Sequence, residues 1–391
     1  MRQLIKNRLK GLKSSLGDFY KKTSCFRRLG PLEAAKTIAS CMDELGLEGV
    51  SIDKTDNVVG FVDGYDNKGD LILISTLNFD SRRSNANVDK PLHREVLPSE
   101  AGVISSIYTA ALVKKAFLPL EGKLFVCSVP RIDCCDVGIK HIFQEYFKGK
   151  TSNIKGIILC EPTGFNIYLG HRGHMEYEIS VKRRFPEASS SVDALALIEE
   201  LKKVSRTLPH NYALGDSSLR VKNFNHALEG DFLSQKEFKV TVDRFFVPEE
   251  KLSDILHRAK SIAENIYDKG KVTASVAEAK INTADGLRII SRKEFSPWKM
   301  ERNHPFVVSC LEVLGENKFD ASLGYWKETL TQGSYTFGKL KIPTVGFGPG
   351  SEDQKDAPVS LGQIGKAIYA NTLMVMRNVG MPAFGWSRDE I

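Results

Sequence analysis

The sequence has no long apolar run and no regular cysteine framework. No stretch approaches the roughly 20 consecutive apolar residues that a membrane-spanning helix needs, and the first residues lack an apolar stretch followed by a small-residue cleavage site. Seven cysteines are spread irregularly over 391 residues, which argues against a disulfide framework and favours a reducing compartment. The sequence therefore predicts a cytoplasmic protein.

The chain also lacks internal repeats, low-complexity tracts and linkers rich in proline or serine. With 42% hydrophobic and 26% charged residues, the composition is that of a globular protein and excludes a disordered one. A length of 391 residues exceeds one compact core, so we expect two domains joined by short hinges.

The positive charge is local. Residues 1–30 hold nine Lys and Arg residues and one Asp, a balance of +8, whereas the whole chain carries +7, so the remaining residues sum to −1. Apolar residues in this segment recur at helical spacing, which predicts an amphipathic helix; they are Ile5, Leu9, Leu12, Leu16 and Phe19. We expect this helix to dock on its own domain, with peripheral membrane contact as a weak alternative and no nucleic-acid partner.

Short apolar runs at 71–74, 124–129 and 154–159 predict buried parallel strands. A helical pattern over 100–116 separates the first two, with Ser99 as its expected cap. This alternation predicts an α/β fold with a doubly wound, mostly parallel sheet, whose functional side chains follow the carboxyl ends of the strands.

The pattern changes near Met175, where alternating strands and two helices predict an inserted α+β domain. The α/β pattern resumes near Pro297. The predicted organisation is a first part of the large domain over 1–174, the insertion over 175–288, and the second part of the large domain over 289–391.

Five segments occur in an order that is specific for one family. They are Glu161-Pro162-Thr163, His171-Arg172-Gly173, Ala188-Ser189, Val242-Asp243-Arg244 and the Gly-rich stretch 342–350. In this order they resemble the acetylornithine deacetylase, succinyl-diaminopimelate desuccinylase and aminoacylase family of zinc metallopeptidases. The resemblance implies a dinuclear zinc site in the large domain and a homodimer formed through the inserted dimerisation (lid) domain; a heterodimer with an active relative is the alternative.

The positions that match the family's zinc ligands differ in chemistry. The Gly-His-x-Asp segment after the first strand corresponds to Ser75-Thr76-Leu77-Asn78, so Thr76 replaces a ligand and Asn78 replaces the Asp that orients it. Ser99 is the best match to the bridging Asp, with Pro98 as the match in another register. The last ligand, a His beyond the Gly-rich loop, aligns with Asp356.

The catalytic positions are also replaced. The paired glutamates after the second strand, a general base and a ligand, read Arg131 and Ile132, while one ligand position keeps its carboxylate as Glu161. The His that stabilises the oxyanion aligns with Glu187, and a Thr-Asp-Gly stretch reads Thr331-Gln332-Gly333. These replacements predict a pseudoenzyme that has lost its zinc ligands and has no cofactor; the alternative is a single divalent cation, Mg or Zn, at Glu161 and Asp356.

We expect the site to retain ligand binding. Candidate groups are the Arg244 side chain and the backbone of Gly348 and Gly350, with Glu161 and Arg131 beside them; the alternatives are a surface arginine and a tight glycine turn. An ion pair from Arg131 or Lys355 to Glu161 is a further hypothesis. The predicted function is a non-catalytic binding or regulatory subunit for an amino acid, acyl amino acid or peptide. The alternative is an active amidohydrolase with an atypical metal centre.

Overall fold

The computed structural model describes 11 stretches of the chain. They are residues 1–24, 26–66, 68–79, 96–131, 135–183, 190–226, 237–267, 270–282, 286, 288–354 and 356–382. None of the helices in these stretches is long and apolar enough to cross a bilayer.

The first part of the chain alternates helices and strands, as the sequence pattern predicts. Its elements are α1 (Arg2–Gly11), α2 (Lys13–Thr23), α3 (Phe26–Glu44), β1 (Glu48–Ile52), β2 (Val58–Val62), β3 (Asp70–Asn78), α4 (Pro98–Lys115), β4 (Leu124–Arg131), α5 (Val137–His141), β5 (Ile154–Leu159), β6 (Ile167–Tyr168) and β7 (Gly170–His171).

The middle part contains most of the antiparallel structure. Its elements are β8 (Gly173–Arg183), α6 (Ser190–Ser205), β9 (His210–Asn211), β10 (Gly215–Asp216), β11 (Ser218–His226), β12 (Glu237–Phe246), α7 (Leu252–Ile266), β13 (Gly270–Val276), β14 (Glu278–Asn282), β15 (Arg288–Arg292) and β16 (Glu294–Phe295).

The last part completes the large sheet. Its elements are β17 (Trp298–Lys299), α8 (Pro305–Glu316), β18 (Leu323–Gly324), α9 (Gly333–Thr336), β19 (Thr344–Gly346) and α10 (Leu361–Val379). α10 begins with a capping box, in which Ser360 accepts from the Gln363 backbone and Gln363 accepts from the Ser360 backbone. α10 packs against both α4 and α8.

The large sheet has eight strands in the order β1-β2-β4-β3-β5-β19-β6-β18. Its centre, β4-β3-β5-β19, is parallel, and antiparallel pairs join β2 to β4 and β19 to β6. The central strands are buried because α4 covers them and is itself buried along most of its length. The predicted α/β fold with a doubly wound, mostly parallel sheet and an inserted α+β domain is confirmed.

A second core forms in the inserted domain. The sheet β11-β12-β8-β13 turns Met175, Tyr177, Ile179 and Val181 towards α6 and α7, while the alternate residues of β8 face away from the helices. This second cluster of buried residues extends from Met175 to Val276. The boundaries at 175 and 288 stay a prediction.

The basic N-terminal segment is two helices rather than one. α1 ends at Gly11 and α2 begins at Lys13, because Leu12 (φ −89°, ψ −3°) interrupts the helix. Ile5, Leu12 and Leu16 are buried in the core of the large domain, as the docked-helix prediction requires.

Candidate functional site

The carboxyl ends of three parallel strands meet at one edge of the large sheet. In β3 and β4, Thr76 lies opposite Val129 and Asn78 lies opposite Arg131. β5 pairs with the other side of β3 and ends at Leu159, two residues before Glu161. The matched positions on three separate strands are therefore neighbours in space.

The first turn of α4 closes this edge. A Cβ atom added at Gly102 would lie 2.0 Å from the Cys160 carbonyl oxygen, so the helix touches the end of β5 directly. Ser99 is not the cap of α4, because the helix begins at Pro98 and its N-cap is Leu97, without a side-chain hydrogen bond. Proline is well suited to the first helical turn, because the N–H that proline lacks would have no partner within the helix there. Ser99 lies within that turn instead, and its Oγ donates to Glu100 Oε2 at 3.2 Å.

The Gly-rich loop after β19 packs against the loop after β5. The Gly348 N–H donates to Thr163 Oγ1 at 3.1 Å, and a Cβ at Gly348 would lie 2.4 Å from the Glu161 carbonyl oxygen. Gly350 has a φ of +77° and lies against the Pro98 ring. The Gly348 N–H therefore bonds within the protein and is not exposed to a ligand, contrary to the sequence-based expectation. The Gly-rich loop after β19 instead contacts the loop after β5 and the first turn of α4.

Few side chains at this edge could coordinate a metal ion, and most of them are buried. Thr76 is 1% exposed, Ser99 7% and Glu161 3%, whereas Asp356 is exposed. The Thr76 Oγ1 has no hydrogen-bond partner in the described part of the chain. The side chains of Asn78 and Arg131, and all of Ile132, Glu187 and Lys355, lie outside the described residues, so the proposed ion pair to Glu161 does as well.

This set does not fit a dinuclear metal centre. Two zinc ions require several imidazole or carboxylate ligands and a bridging carboxylate, whereas Thr76 and Ser99 supply neutral hydroxyls. No group of three or more His, Cys, Asp or Glu side chains in the described stretches is placed to hold a metal ion.

Arg244, a candidate for ligand binding, is buried inside the inserted domain. Its guanidinium donates to the Ser218 and Phe245 carbonyl oxygens and pairs with Glu250. Burial lowers the pKa of Arg244, against the opposing effect of Glu250. With 1% of its side chain exposed, Arg244 holds β12 to the turn that follows it, so its geometry favours packing over ligand recognition.

His171 at the end of β7 and His174 near the start of β8 are held by separate partners. His171 Nε2 accepts from the Thr331 N–H at 3.0 Å, and the ring lies edge-on to Trp298. His174 Nε2 lies 2.7 Å from Asp243 Oδ1. The two rings have different neighbours and do not form a metal pair.

Sequence reasoning missed Thr163 and Glu352. Thr163 hydrogen-bonds both the N–H and the carbonyl oxygen of Gly348, and Glu352 accepts from the consecutive backbone N–H groups of residues 327–329. Thr163 lies in a quoted segment, but its partner is 185 residues away. Nothing in the local sequence identifies either contact.

Comparison with known sequences identifies two proteins that are similar to this chain in sequence. The uncharacterized protein YgeY of Escherichia coli K12 is 24% identical over 334 residues, which cover 81% of each chain. An uncharacterized metallohydrolase of Methanocaldococcus jannaschii is 29% identical over 180 residues, 45% of this chain and 48% of that protein. No protein-family model matches the chain.

Solved structures share the fold over nearly the whole chain. The dipeptidase Dug1p of Saccharomyces cerevisiae superposes with a TM-score of 0.68 at 8% identity, covering 96% of this chain and 98% of its own. The YxeP protein of Bacillus subtilis, a dinuclear metal-binding peptidase of the M20 family, gives 0.65 at 12% identity and covers 92% and 98%. The chain therefore has the catalytic-plus-lid fold of M20 peptidases.

These comparisons contradict one prediction. The sequence led us to expect no cofactor, but the structural neighbours include a dinuclear metal-binding peptidase, and a sequence relative is described as a metallohydrolase. The replaced positions are therefore not grounds for predicting a cofactor-free protein.

Proposed function

We propose that this protein uses a peptidase-type scaffold to bind an amino acid, acyl amino acid or short peptide without hydrolysing it. The observation that carries the proposal is the residue at the end of β4. Arg131 stands where the similar family has its general base, and it lies beside Asn78 on β3.

The chemistry of the matched residues supports this proposal. Hydrolysis of an amide requires a group that removes a proton from the attacking water. An arginine side chain stays protonated and has no acceptor atom, so Arg131 cannot take that proton. Thr76 and Ser99 are neutral hydroxyls and do not supply a carboxylate or imidazole that could accept the proton instead.

The ligand class follows from the fold and from the remaining charges. Glu161 is a buried carboxylate that follows β5, and Arg131 is the last residue of β4, with β3 between these two strands. A carboxylate and an arginine that belong to the same edge of the sheet suit a zwitterionic or carboxylate-bearing molecule. Several solved structures with this fold are described as dipeptidases or a tripeptidase, which supports a ligand of similar size.

Calorimetric titration tests the proposal. We expect saturable binding of a member of a panel of N-acetyl amino acids and dipeptides, with the ligand recovered intact by mass spectrometry. Glu161→Gln should weaken the affinity of the protein for that ligand about tenfold, because the substitution removes a buried charge from the proposed site. The control Glu312→Gln removes an exposed charge on α8 and should leave the affinity unchanged. No saturable binding by any panel member would refute the proposal.

We also propose a homodimer formed through the inserted domain. Its sheet leaves β11 and β13 as the outer strands of the described path, and unpaired strand edges favour pairing with a second copy. Light scattering after size exclusion should give about twice the 43.5 kDa chain mass. A mass equal to one chain at all concentrations would contradict the dimer.

A further inference from the structure

The loop between β18 and α9, residues 325–332, is fixed at both ends to the large domain, and we call it the bridging loop. At one end, the Trp326 Nε1–H donates to the Pro162 carbonyl oxygen at 3.0 Å, so the buried indole lies beside the loop that follows β5. At the other end, the Thr331 N–H donates to His171 Nε2 on β7 at 3.0 Å. The bridging loop therefore spans from the loop after β5 to the strand from which the chain enters the inserted domain.

Glu352 holds the middle of the bridging loop. The N–H groups of Lys327 and Glu328 donate to the two oxygens of its carboxylate at 2.9 Å and 2.7 Å, and the Thr329 N–H donates to the same carboxylate. Hydrogen bonds to an ionised acceptor are stronger than those between neutral groups. Glu352 follows Gly350, which lies against the first turn of α4, so the carboxylate joins the bridging loop to the carboxyl edge of the large sheet.

Lys327 also contacts the inserted domain. Its ammonium donates to the Ala213 carbonyl oxygen at 2.6 Å, and its own carbonyl oxygen accepts from Arg172 Nη2 at 2.6 Å. Arg172 lies between β7 and β8, and its Nη1 donates to the Asp216 carbonyl oxygen of the β9–β10 hairpin. The N–H, the side chain and the carbonyl oxygen of Lys327 therefore bind three separate partners, which are Glu352, the hairpin and Arg172.

The β9–β10 hairpin is attached to the rest of the inserted domain by its own contacts. Asn211 Nδ2 donates to Glu249 Oε1, just after β12, at 2.9 Å. The hairpin pairs only two residues in each strand, which is too few for a stable structure on its own. Its order therefore depends on docking, both on the inserted domain and on Lys327 and Arg172.

We propose that Glu352 is a positioning residue, which fixes Lys327 and thereby holds the inserted domain in one position against the large domain. Without this carboxylate the middle of the bridging loop gains conformational freedom. Both hydrogen bonds from Lys327 to its partners beyond the loop then cost more entropy to form, so the hairpin is released together with the loop. This role does not depend on the ligand proposed for the large domain.

Hydrogen–deuterium exchange of the full chain, followed by mass spectrometry, tests the proposal. In Glu352→Ala we expect exchange to become about tenfold faster in both the bridging loop and the β9–β10 hairpin, because both segments open more often. Asp353→Ala removes the same charge from the exposed neighbouring residue and should leave both rates unchanged. Lys327→Met keeps the N–H that Glu352 binds but loses the ammonium, so exchange should become about threefold faster in the hairpin and stay unchanged in the bridging loop.

The distribution of faster exchange over the chain decides the outcome. Faster exchange in the bridging loop alone would show that Glu352 only satisfies the N–H groups of that loop, and it would overturn the proposal. Unchanged exchange in both segments, or an equal rise in α10 that indicates global destabilisation, would overturn it as well. If Glu352→Ala does not fold, Glu352→Gln removes the charge but keeps one carbonyl acceptor, and it should give the same coupled change at about threefold. A change confined to the bridging loop in that variant would also overturn the proposal.

Discussion

The two sheets of this protein carry their polar side chains in different environments. At the carboxyl edge of the large sheet, Thr76 and Glu161 are almost completely buried. On the outer face of the inserted domain's sheet, Lys239 and Lys271 are exposed. Burial penalises every unpaired charge, whereas an exposed face tolerates charges that have no close partner. The first region is therefore constrained by packing and the second by electrostatics.

Among substitutions that compare buried with exposed charges, we expect the largest effect on stability at Arg244. Arg244→Met should lower the free energy of unfolding by about 3–5 kcal/mol, because it leaves Glu250 without its buried partner. Arg220 on the neighbouring strand has a 75% exposed side chain, so Arg220→Met should change stability by only about 0–1 kcal/mol. Urea unfolding of both variants makes the comparison, and equal effects would show that burial does not separate these two arginines.

Packing at the edge of the large sheet can be tested with two helical glycines. Gly102→Ala should destabilise the protein by about 1–3 kcal/mol, since its new methyl group would meet the Cys160 carbonyl oxygen at 2.0 Å. Gly365→Ala in α10 has nothing within 4 Å and should stabilise by up to about 1 kcal/mol. Differential scanning calorimetry measures both, and a neutral Gly102→Ala would mean that α4 does not touch the end of β5.

A smaller effect is expected at Thr76. Thr76→Val should be neutral or stabilise by about 1 kcal/mol, because it removes a buried hydroxyl that has no partner among the described residues. The control is Thr344→Val, whose hydroxyl bonds Thr336 Oγ1 and the Ile342 carbonyl oxygen; that change should destabilise by about 1–2 kcal/mol. A loss of stability in Thr76→Val, measured by chemical unfolding, would reveal a partner for its hydroxyl.

The smallest expected effect is a pH dependence of the inserted domain. Burial tends to raise the pKa of Asp243 and of Glu176, but hydrogen bonds from His174 and from two lysines prevail, so both values are lowered. A lowered carboxylate pKa stabilises the fold above the unfolded value, about pH 4, and this stability is lost as the pH falls through the folded value.

Replacing Asp243 by Asn should therefore flatten the decline of stability on the acid side. Unfolding midpoints between about pH 3 and pH 6 give the slope for parent and variant. Asp320→Asn removes an exposed carboxylate in the large domain and should leave the slope unchanged. A parent whose stability does not decline in acid would contradict the assignment.

The sequence predicted the parts of the fold that depend on local pattern. The apolar runs of β3, β4 and β5 and the buried face of the N-terminal helices all involve residues close in sequence. It failed at Ser99, where Pro98 offers an alternative first residue for the helix. At such boundaries two local preferences compete, and tertiary packing decides between them.

Long-range partners could not be predicted. The Gly348 N–H bonds Thr163, which lies 185 residues earlier, and Glu176 is paired by Lys222 and Lys293, which lie far from it in the sequence. The positions on β3, β4 and α4 that match the family's site could be named from the family resemblance, because each lies at the end of a strand or in the first turn of a helix. The burial of their side chains required the three-dimensional structure.

Turnover in the presence of supplied metal tests the central claim most directly. The full chain is incubated with a panel of N-acyl amino acids and dipeptides and with Zn²⁺, Co²⁺ or Mn²⁺, and release of free amine is followed over time. We expect no rate above the metal-only reaction, because Arg131 provides no proton acceptor. Hydrolysis of any panel member that disappears in Glu161→Ala, a variant shown to remain folded, would contradict this account.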